Sequence, residues 1–285
     1  MKKKTVKKYL GGIPISAWMV IFVILPLIVV VQYGFYLKTG AVTFDKSVFT
    51  LDNYIHFFAN PIYFQVFLKT VLFALCISAI SLLMGYPLAF LISRKLRRFR
   101  NQFYMLILVP LWVSYLVRII AWRTILGKVG VINSILMATG LVHEPVSWLI
   151  YSPFAVIITL VHITLPFVFI PIFNSLEKIP NNLIAASSDL GANGFKQFTE
   201  VIFPLSLPGV LAGFTMAFVI SLGDYIIPKQ LGGTSMVMFG NLISDQFGTA
   251  YNWPFGSALG VILFVVAIAI LMVSAKIGKS EGFME

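Results

Sequence analysis

Long apolar runs separated by short polar segments dominate the pattern along this chain. A membrane helix needs about 20 mainly apolar residues, and six runs reach that length: 14–36, 68–93, 103–122, 148–173, 207–228 and 257–275. Lipid offers no partner for free backbone N–H and C=O groups, so each run is predicted to be helical. The pattern therefore predicts an all-α integral membrane protein with six transmembrane helices in one domain, residues 1–285.

The composition supports a membrane protein and argues against nucleic-acid binding. The chain is 59% hydrophobic and 11% charged, against about 25% charged residues in soluble domains. Its net charge is +11, but the basic residues cluster beside apolar runs, in residues 1–8 and in RKLRRFR at 94–100. Such clusters are typical of topology signals and of contacts with anionic lipid.

The distribution of basic residues also predicts the orientation. If the N-terminus is inside, most of the 21 lysines and arginines fall on inner segments, namely 1–13, 94–102, 174–206 and 276–285. The positive-inside rule then predicts that both termini are cytoplasmic. The first apolar run is too long for a signal peptide and is expected to be retained. Segment 129–142 has helical spacing but is short, so it is predicted to lie along the outer interface or on neighbouring helices.

Motifs that would indicate an enzyme are missing from the sequence. There is no G-x-x-x-x-G-K-[ST] loop to cradle ATP, and the three histidines show no metal-ligand spacing. The one cysteine, Cys76, lies in an apolar run. An intramembrane aspartyl protease needs two facing carboxylates, but Asp224 is the only acidic residue predicted within a span. We therefore expect no catalytic residue, metal or cofactor in this chain.

A polar island at 174–206 separates the fourth and fifth apolar runs. Its centre combines small residues with an acid and a glycine: Ala185, Ala186, Ser187, Ser188, Asp189 and Gly191. Small residues let a helix face pack closely into a partner's groove, and glycine suits the left-handed end of a helix. The island is predicted to form a short helix, a break and a second helix. From the residues alone, docking of a soluble partner is favoured over an unpartnered surface helix.

This island resembles the cytoplasmic EAA motif of ABC importer permeases, E-A-A, then G, then I-x-L-P. The residues matched to the motif are Ala185, Ala186, Gly191, Val201 and Pro204, while Ile184 stands where glutamate is usual and Phe203 replaces leucine. The resemblance implies a type I permease fold in which the island forms a coupling helix that seats in an ATPase subunit. The residues expected to make this contact are Ala185, Ala186, Ser187, Asp189, Gly191, Val201 and Pro204.

Further segments are similar to the spermidine/putrescine branch of these permeases, in particular its PotB-like subunit. They include FTLDNYIHFF, PIYFQVFLKT, GYPLAFLIS and NWPFGSA. The resemblance implies an importer in the bacterial cell membrane that takes up polyamines, which are small cations. The expected partners are a PotC-like permease subunit, two PotA-like ATPase subunits that hold ATP and Mg, and a PotD-like extracytoplasmic binding protein.

Candidate residues for the translocation pathway are ionisable or aromatic: Asp224, Tyr225, Trp112, Tyr115 and Arg118. Ionisable residues inside spans cost about 2.5–3.5 kcal/mol on insertion scales and are usually functional. A carboxylate beside an aromatic ring suits a cationic solute. The alternatives are that Asp224 reaches the outer surface or pairs with Arg118, and that the aromatic rings contact lipid.

Three further expectations stay open at this point. Gly209 and Gly213 form a G-x-x-x-G pair that permits close helix packing. The same importer architecture could carry another small solute, such as an opine or an organophosphonate. An autonomous secondary carrier would need no ATPase but would leave the coupling segment unexplained.

Overall fold

The computed structural model describes residues 13–40, 43–234 and 236–280. The basic N-terminal cluster and residues 281–285 therefore lie outside the described part of the chain. Its first half contains α1 (Ile13–Met19), α2 (Leu25–Tyr33), β1 (Tyr36–Lys38), β2 (Phe44–Phe49), α3 (Asp52–Ala59), α4 (Pro61–Phe90), α5 (Arg100–Trp112), α6 (Tyr115–Leu126) and α7 (Val131–Ala138). Its second half contains α8 (Pro153–Lys178), α9 (Asn181–Asp189), α10 (Gly194–Gln197), α11 (Phe203–Gly223), α12 (Ile226–Leu231), α13 (Phe239–Phe247) and α14 (Trp253–Ser280).

Short π-helical and 3₁₀ segments connect several of these helices. π-helical turns at Val20–Ile24, Leu91–Lys95 and Phe198–Ile202 join α1 to α2, extend α4 and lead into α11. Within the described residues, five stretches are long and apolar enough to cross a membrane, and a shorter apolar helix spans Val20–Tyr33. The five are Pro61–Lys95, Tyr115–Ala138, Pro153–Lys178, Gly194–Gly223 and Trp253–Gly278. These findings agree with the predicted all-α membrane fold.

The third apolar run is not one continuous helix, so its prediction as a single span, 103–122, is wrong. α5 ends at Trp112, Val113 and Ser114 are extended, and α6 begins at Tyr115. The carbonyl of Ser114 accepts the N–H of Arg118 at 3.1 Å and so starts a new helix. A 20-residue apolar window cannot detect such a break, because both sides of it are equally apolar.

The fourth span lies about five residues later than its prediction of 148–173. The hydroxyl of Ser152 accepts the N–H of Ala155 at 3.2 Å, and Pro153 occupies the first turn of α8. Both features favour a helix start at this point. Because α8 continues to Lys178, the first residues of the predicted polar island belong to this helix.

The contacts divide the described residues into two compact units. The first comprises the residues up to Phe64 together with Leu242–Val265. Its strands β1 and β2 pair antiparallel, and Tyr33 packs against Tyr36 and Phe44 with ring centroids 5.4 and 5.1 Å apart. The amide of Asn53 donates to the carbonyl oxygens of Gly34 and Tyr36 at 3.0 and 2.9 Å, which joins α3 to the start of the hairpin.

The second unit comprises the described residues of Gln65–Asn241 and Val266–Glu285. Helix α8 carries many of its fully buried side chains, including Leu160 and Phe169. Polar pairs also connect helices: Ser81 with Thr164 at 2.8 Å, and Tyr86 with Ser206 at 2.9 Å. Such pairs satisfy side-chain groups that lipid could not.

Close packing of α11 on α8 confirms the prediction made from the G-x-x-x-G pair. A Cβ atom added at Gly213 would lie 3.0 Å from the carbonyl oxygen of Val168 and 3.1 Å from its Cα atom. A Cβ atom at Gly209 would lie 2.5 Å from Oγ of Ser175. The absence of side chains at these two positions therefore lets the two helix backbones approach each other.

Helix α7 lies within segment 129–142, as its spacing predicts. The buried side chain of Asn133 holds the segment in place. Its amide donates to the carbonyl of Gly127 at 3.0 Å, and its Oδ1 accepts the N–H of Val146 at 2.7 Å. One side chain thus joins both ends of the connection between α6 and α8.

Candidate coupling surface and translocation site

The predicted short helix of the polar island is α9, Asn181–Asp189. It ends in a Schellman motif, because the N–H of Ala192 donates to the carbonyl of Ser187 at 3.0 Å and that of Gly191 to Ser188 at 2.9 Å. Gly191 has a φ of 81°, in the left-handed region. The sequence-based expectation that glycine ends this helix is therefore confirmed.

The spacing of the EAA motif corrects the residue-by-residue match when Gly191 takes the position of the motif's glycine. Three residues separate the second alanine of the motif from its glycine, so counting back from Gly191 places the usual glutamate at Ala185, not at Ile184. The two alanine positions then fall on Ala186 and Ser187. Ile184 is instead a partly buried apolar residue that packs against the core cluster of α8.

The residues predicted to contact an ATPase differ in their exposure. Ala185, Ala186, Asp189 and Gly191 are exposed, while three others are partly buried: Ser187, Val201 and Pro204. The hydroxyl of Ser187 donates to the carbonyl of Ile184 at 2.7 Å, within its own helix. The exposed small residues thus form one surface of α9, and their role in coupling remains a prediction.

Large apolar side chains in α9 and in the residues that follow it add to this surface, and they are not among the predicted contact residues. Leu190 is 89% exposed, Phe195 76% and Leu183 46%. The sequence could have indicated Leu190 as a contact residue, because it is a large apolar residue within a polar island. The amide of Gln197 donates to Oγ of Ser188 at 2.6 Å and links α10 to α9. We name α9, α10 and these side chains the coupling surface.

Asp224 lies at a helix break rather than inside a span, so the predicted boundary of 207–228 is wrong. Helix α11 ends at Gly223, and Asp224 itself is extended. Its Oδ1 accepts the N–H of Ile227 at 2.9 Å. A side-chain carboxylate that bonds a nearby backbone N–H competes with continuation of the helix and favours a new helix start, which here is α12.

The structure brings together three of the five predicted pathway residues. The hydroxyl of Tyr115 donates to Oδ2 of Asp224, although the two residues lie on α6 and at the end of α11. The guanidinium of Arg118 lies over the ring of Tyr115, 5.9 Å from its centroid. Asp224 is 8% exposed. A buried carboxylate, a phenol and an arginine therefore meet at one point of the second unit.

Pairing of Asp224 with Arg118, one of the alternatives that the sequence left open, is not found among the described residues, where Arg100–Glu177 is the ion pair that forms. The other two candidates are more exposed. Tyr225 follows Asp224 and is 42% exposed, and Trp112 ends α5 with 79% exposure. Since Arg118 covers a face of Tyr115, Tyr225 is the more accessible ring next to the carboxylate.

Asn241 supports this site and could not have been selected from the sequence. Its Nδ2 donates to the carbonyl of Tyr225 at 2.7 Å, and its Oδ1 accepts the N–H of Met238 at 3.0 Å. The hydroxyl of Thr70 accepts the N–H of Phe239 at 2.8 Å. These bonds hold the segment after α12 against Tyr225, the residue after Asp224, and against α4. Asn241 showed no local motif that would have marked it.

The apolar helices, the helix break at the buried Asp224 and the exposed helix α9 are consistent with a membrane transport subunit, and comparisons with known proteins show this class. Residues 81–277 match the family model described as "Binding-protein-dependent transport system inner membrane component". The chain therefore belongs to this family of inner-membrane transport components. This membership confirms the predicted multi-pass bacterial inner-membrane location and the prediction that the chain is a transport subunit rather than an enzyme.

Curated relatives cover nearly the whole chain. The spermidine/putrescine transport system permease protein PotB of Haemophilus influenzae is 34% identical over 265 residues, which is 93% of this chain and 92% of that protein. PotB of Escherichia coli K12 is 34% identical over 92% of this chain and 94% of that protein. The predicted resemblance to PotB-like ABC importer permeases is thus confirmed.

A solved structure shares the fold. The bacterial alginate ABC transporter, crystallised in complex with an alginate pentasaccharide-bound periplasmic protein, contains a chain that superimposes with a TM-score of 0.70. The match covers 97% of this chain and 96% of that chain at 19% sequence identity. At this identity the similarity shows the fold alone, and it agrees with the predicted helical permease fold.

Proposed function

We propose that this chain is one permease subunit of an ATP-driven importer that takes up spermidine and putrescine. The observation that carries the proposal is the 34% identity to spermidine/putrescine permeases over nearly the full length of both proteins. The buried carboxylate at the end of α11 is chemically consistent with this substrate class. Polyamines are flexible polycations, and a desolvated carboxylate binds an ammonium group more strongly than an exposed one does.

The proposed cation site consists of Asp224 with the neighbouring aromatic ring of Tyr225. The carboxylate supplies charge, and an exposed ring supplies cation–π attraction to an amine. In the described structure both carboxylate oxygens have donors, Tyr115 and the N–H of Ile227. An incoming ammonium would displace or share the phenol donor, while the backbone bond would keep the carboxylate in place.

Energy would enter through the coupling surface, since no ATP-binding loop occurs in this sequence. The proposed partners are a PotC-like permease, two PotA-like ATPases that bind ATP and Mg, and a PotD-like binding protein outside the membrane. With both termini in the cytoplasm, α9 would face the ATPases. Closure of the ATPase dimer would displace α9, and the attached helices would tilt to open the pathway toward the binding protein.

The substrate proposal is tested by uptake competition. We expect the permease, assembled with its ATPases and binding protein in proteoliposomes, to import labelled spermidine only when ATP is present. Excess unlabelled spermidine or putrescine should compete, whereas an opine or an organophosphonate should not, because neither is a compact polycation. Competition by those solutes alone would support the same architecture with another substrate, and uptake without ATPases would support an autonomous carrier.

The coupling surface is tested by placing a bulky side chain on it. Ala185→Trp is expected to lower recovery of the ATPase with the permease, and uptake with it, by about tenfold or more, because a large side chain obstructs a closely packed interface. Ala138→Trp is the matched control, since Ala138 is also exposed and ends α7. Normal ATPase recovery and uptake with Ala185→Trp would contradict the proposed contact.

A further inference from the structure

The guanidinium group of Arg94 connects three segments of the second compact unit. Arg94 lies in the π-helical turn Leu91–Lys95 that extends α4. Its Nη2 donates to the carbonyl oxygens of Leu176 and Ile179, the latter at 3.0 Å, and its Nη1 donates to Oδ1 of Asn181 at 3.2 Å. Leu176 belongs to the last turn of α8, and Asn181 is the first residue of α9.

Two of these contacts cap the end of α8. The carbonyl of Leu176 accepts the N–H of Ile179 at 3.2 Å, and Arg94 supplies a second donor there, since Pro180, four residues after Leu176, has no N–H. A cation at a helix C-terminus also interacts favourably with the helix dipole. The planar guanidinium of arginine can donate to several oxygens at once. A lysine ammonium does not present its donors in this fixed planar arrangement.

An ion pair between Arg100 and Glu177 lies near the Arg94 hydrogen bonds and is expected to contribute less to stability. Arg100, the first residue of α5, pairs with Glu177 at 2.5 Å, and the two side chains are 41% and 30% exposed. Exposed ion pairs contribute little, because water screens them. Arg94 is less exposed than Lys95 next to it. Its bonds to the carbonyl oxygens of Leu176 and Ile179, at the end of α8, are partly buried, while its bond to Asn181 on α9 is exposed.

The coupling helix has few buried side chains that could transmit force. None of the residues of α9 is fully buried, and Ile184 is the one that packs against the core cluster of α8. Helix α8, in contrast, is largely buried. With so few buried contacts on α9, the hydrogen bonds of Arg94 at the junction of α8 and α9 are a route by which movement of α9 could be transmitted to α8 and α4.

We propose that Arg94 is a positioning residue that mechanically couples α9 to the helix Pro61–Lys95, so that displacement of α9 moves this helix together with α8. This inference rests on the proposed function, because it requires an ATPase acting on α9. It gives Arg94 a role distinct from that expected for the basic cluster 94–100 as a whole, namely topology and lipid contact. The role depends on directed hydrogen bonds rather than on net charge.

The test compares two substitutions that remove the same charge, Arg94→Gln and Lys95→Gln, in the complete transporter in proteoliposomes. The measured quantity is labelled spermidine imported per ATP hydrolysed. Arg94→Gln is expected to lower this ratio by about tenfold, since hydrogen bonds to a charged group are typically worth that factor or more. Lys95→Gln is expected to stay within about twofold, because exposed charges contribute little. Arg94→Lys should fall between them.

Two outcomes would overturn the inference: an unchanged ratio in Arg94→Gln, or an equal loss in both glutamine variants. If Arg94→Gln fails to assemble, Asn181→Ala replaces it, since this change removes the acceptor on α9 and leaves every charge in place. A wild-type ratio in Asn181→Ala would then overturn the inference. Failure of the wild-type complex to couple ATP hydrolysis to uptake would refute the proposed function itself, whereas a working complex with a normal Arg94→Gln refutes only the role of Arg94.

Discussion

Asp224→Asn is expected to lower spermidine uptake by about thirtyfold or more, with little loss of assembled permease. The substitution removes the negative charge that would bind an ammonium group, and charge-assisted hydrogen bonds are worth about 1.5–3 kcal/mol each. The fold should tolerate it. The carbonyl of the new amide can accept the N–H of Ile227, which Oδ1 of Asp224 accepts at 2.9 Å, and its NH₂ can donate to the phenol oxygen of Tyr115.

The matched control is Asp245→Asn, because Asp245 is an exposed carboxylate near the end of α13. It should leave uptake within about twofold of wild type. Tyr115→Phe keeps the ring under Arg118 and removes the hydroxyl, so it should give a smaller loss than Asp224→Asn. Unchanged uptake kinetics in Asp224→Asn would leave Asp224 with a structural role alone, as the residue that starts α12.

Gly213→Leu is expected to prevent stable packing of α11 on α8. The Cβ atom alone would lie 3.0 Å from the carbonyl oxygen of Val168, and that neighbour is backbone, which cannot turn aside. Overpacking of this kind typically costs about 1–3 kcal/mol or more. We expect the apparent unfolding temperature of the purified permease complex to fall by about 10 °C, with correspondingly less protein in the membrane.

A series of substitutions makes this prediction specific to the helix contact. Loss of stability should increase from Gly213→Ala to Gly213→Val to Gly213→Leu, because each step adds volume at the same close approach. Gly260→Leu on α14 is the control, since a Cβ atom added at Gly260 meets no atom within 4 Å. Equal destabilisation by Gly213→Leu and Gly260→Leu would show that loss of glycine itself, not helix approach, is responsible.

Local features of the candidate site followed from the sequence more reliably than distant ones. The end of α9 at Gly191 was predictable because a left-handed residue after a short helix is a local preference of glycine. The meeting of Tyr115 with Asp224 was not, because the two residues are 109 positions apart. Asp224 was selected because ionisable groups are costly in lipid, and Tyr115 was selected as an aromatic lining of the pathway. Neither criterion says which groups meet.

Boundaries within apolar stretches were the least predictable part of the fold. The break at Val113 and Ser114 and the helix end at Gly223 both lie inside runs that hydropathy treats as uniform. Hydropathy sums the transfer free energies of the residues one by one. That sum is the same whether the run forms one helix or two shorter helices joined by two extended residues. At Gly223 the side chain of Asp224 favours the break, because its carboxylate accepts the N–H of Ile227. At Ser114 no side chain caps the new helix, and the first bond there is from the N–H of Arg118 to the backbone carbonyl of Ser114.

The sequence by itself determined that this protein is a multi-span helical membrane protein with a helix-forming polar island between its fourth and fifth apolar runs. Both conclusions depend on interactions between each residue and lipid, water or its near neighbours, and those act whatever the rest of the chain does. Tertiary structure alone decided that Arg94 bonds the junction of α8 and α9 and that Tyr115 reaches Asp224. Such contacts depend on which helix faces pack together. Small residues such as Gly213 allow close packing, but the neighbour of Gly213, Val168 of α8, is known only from the folded chain.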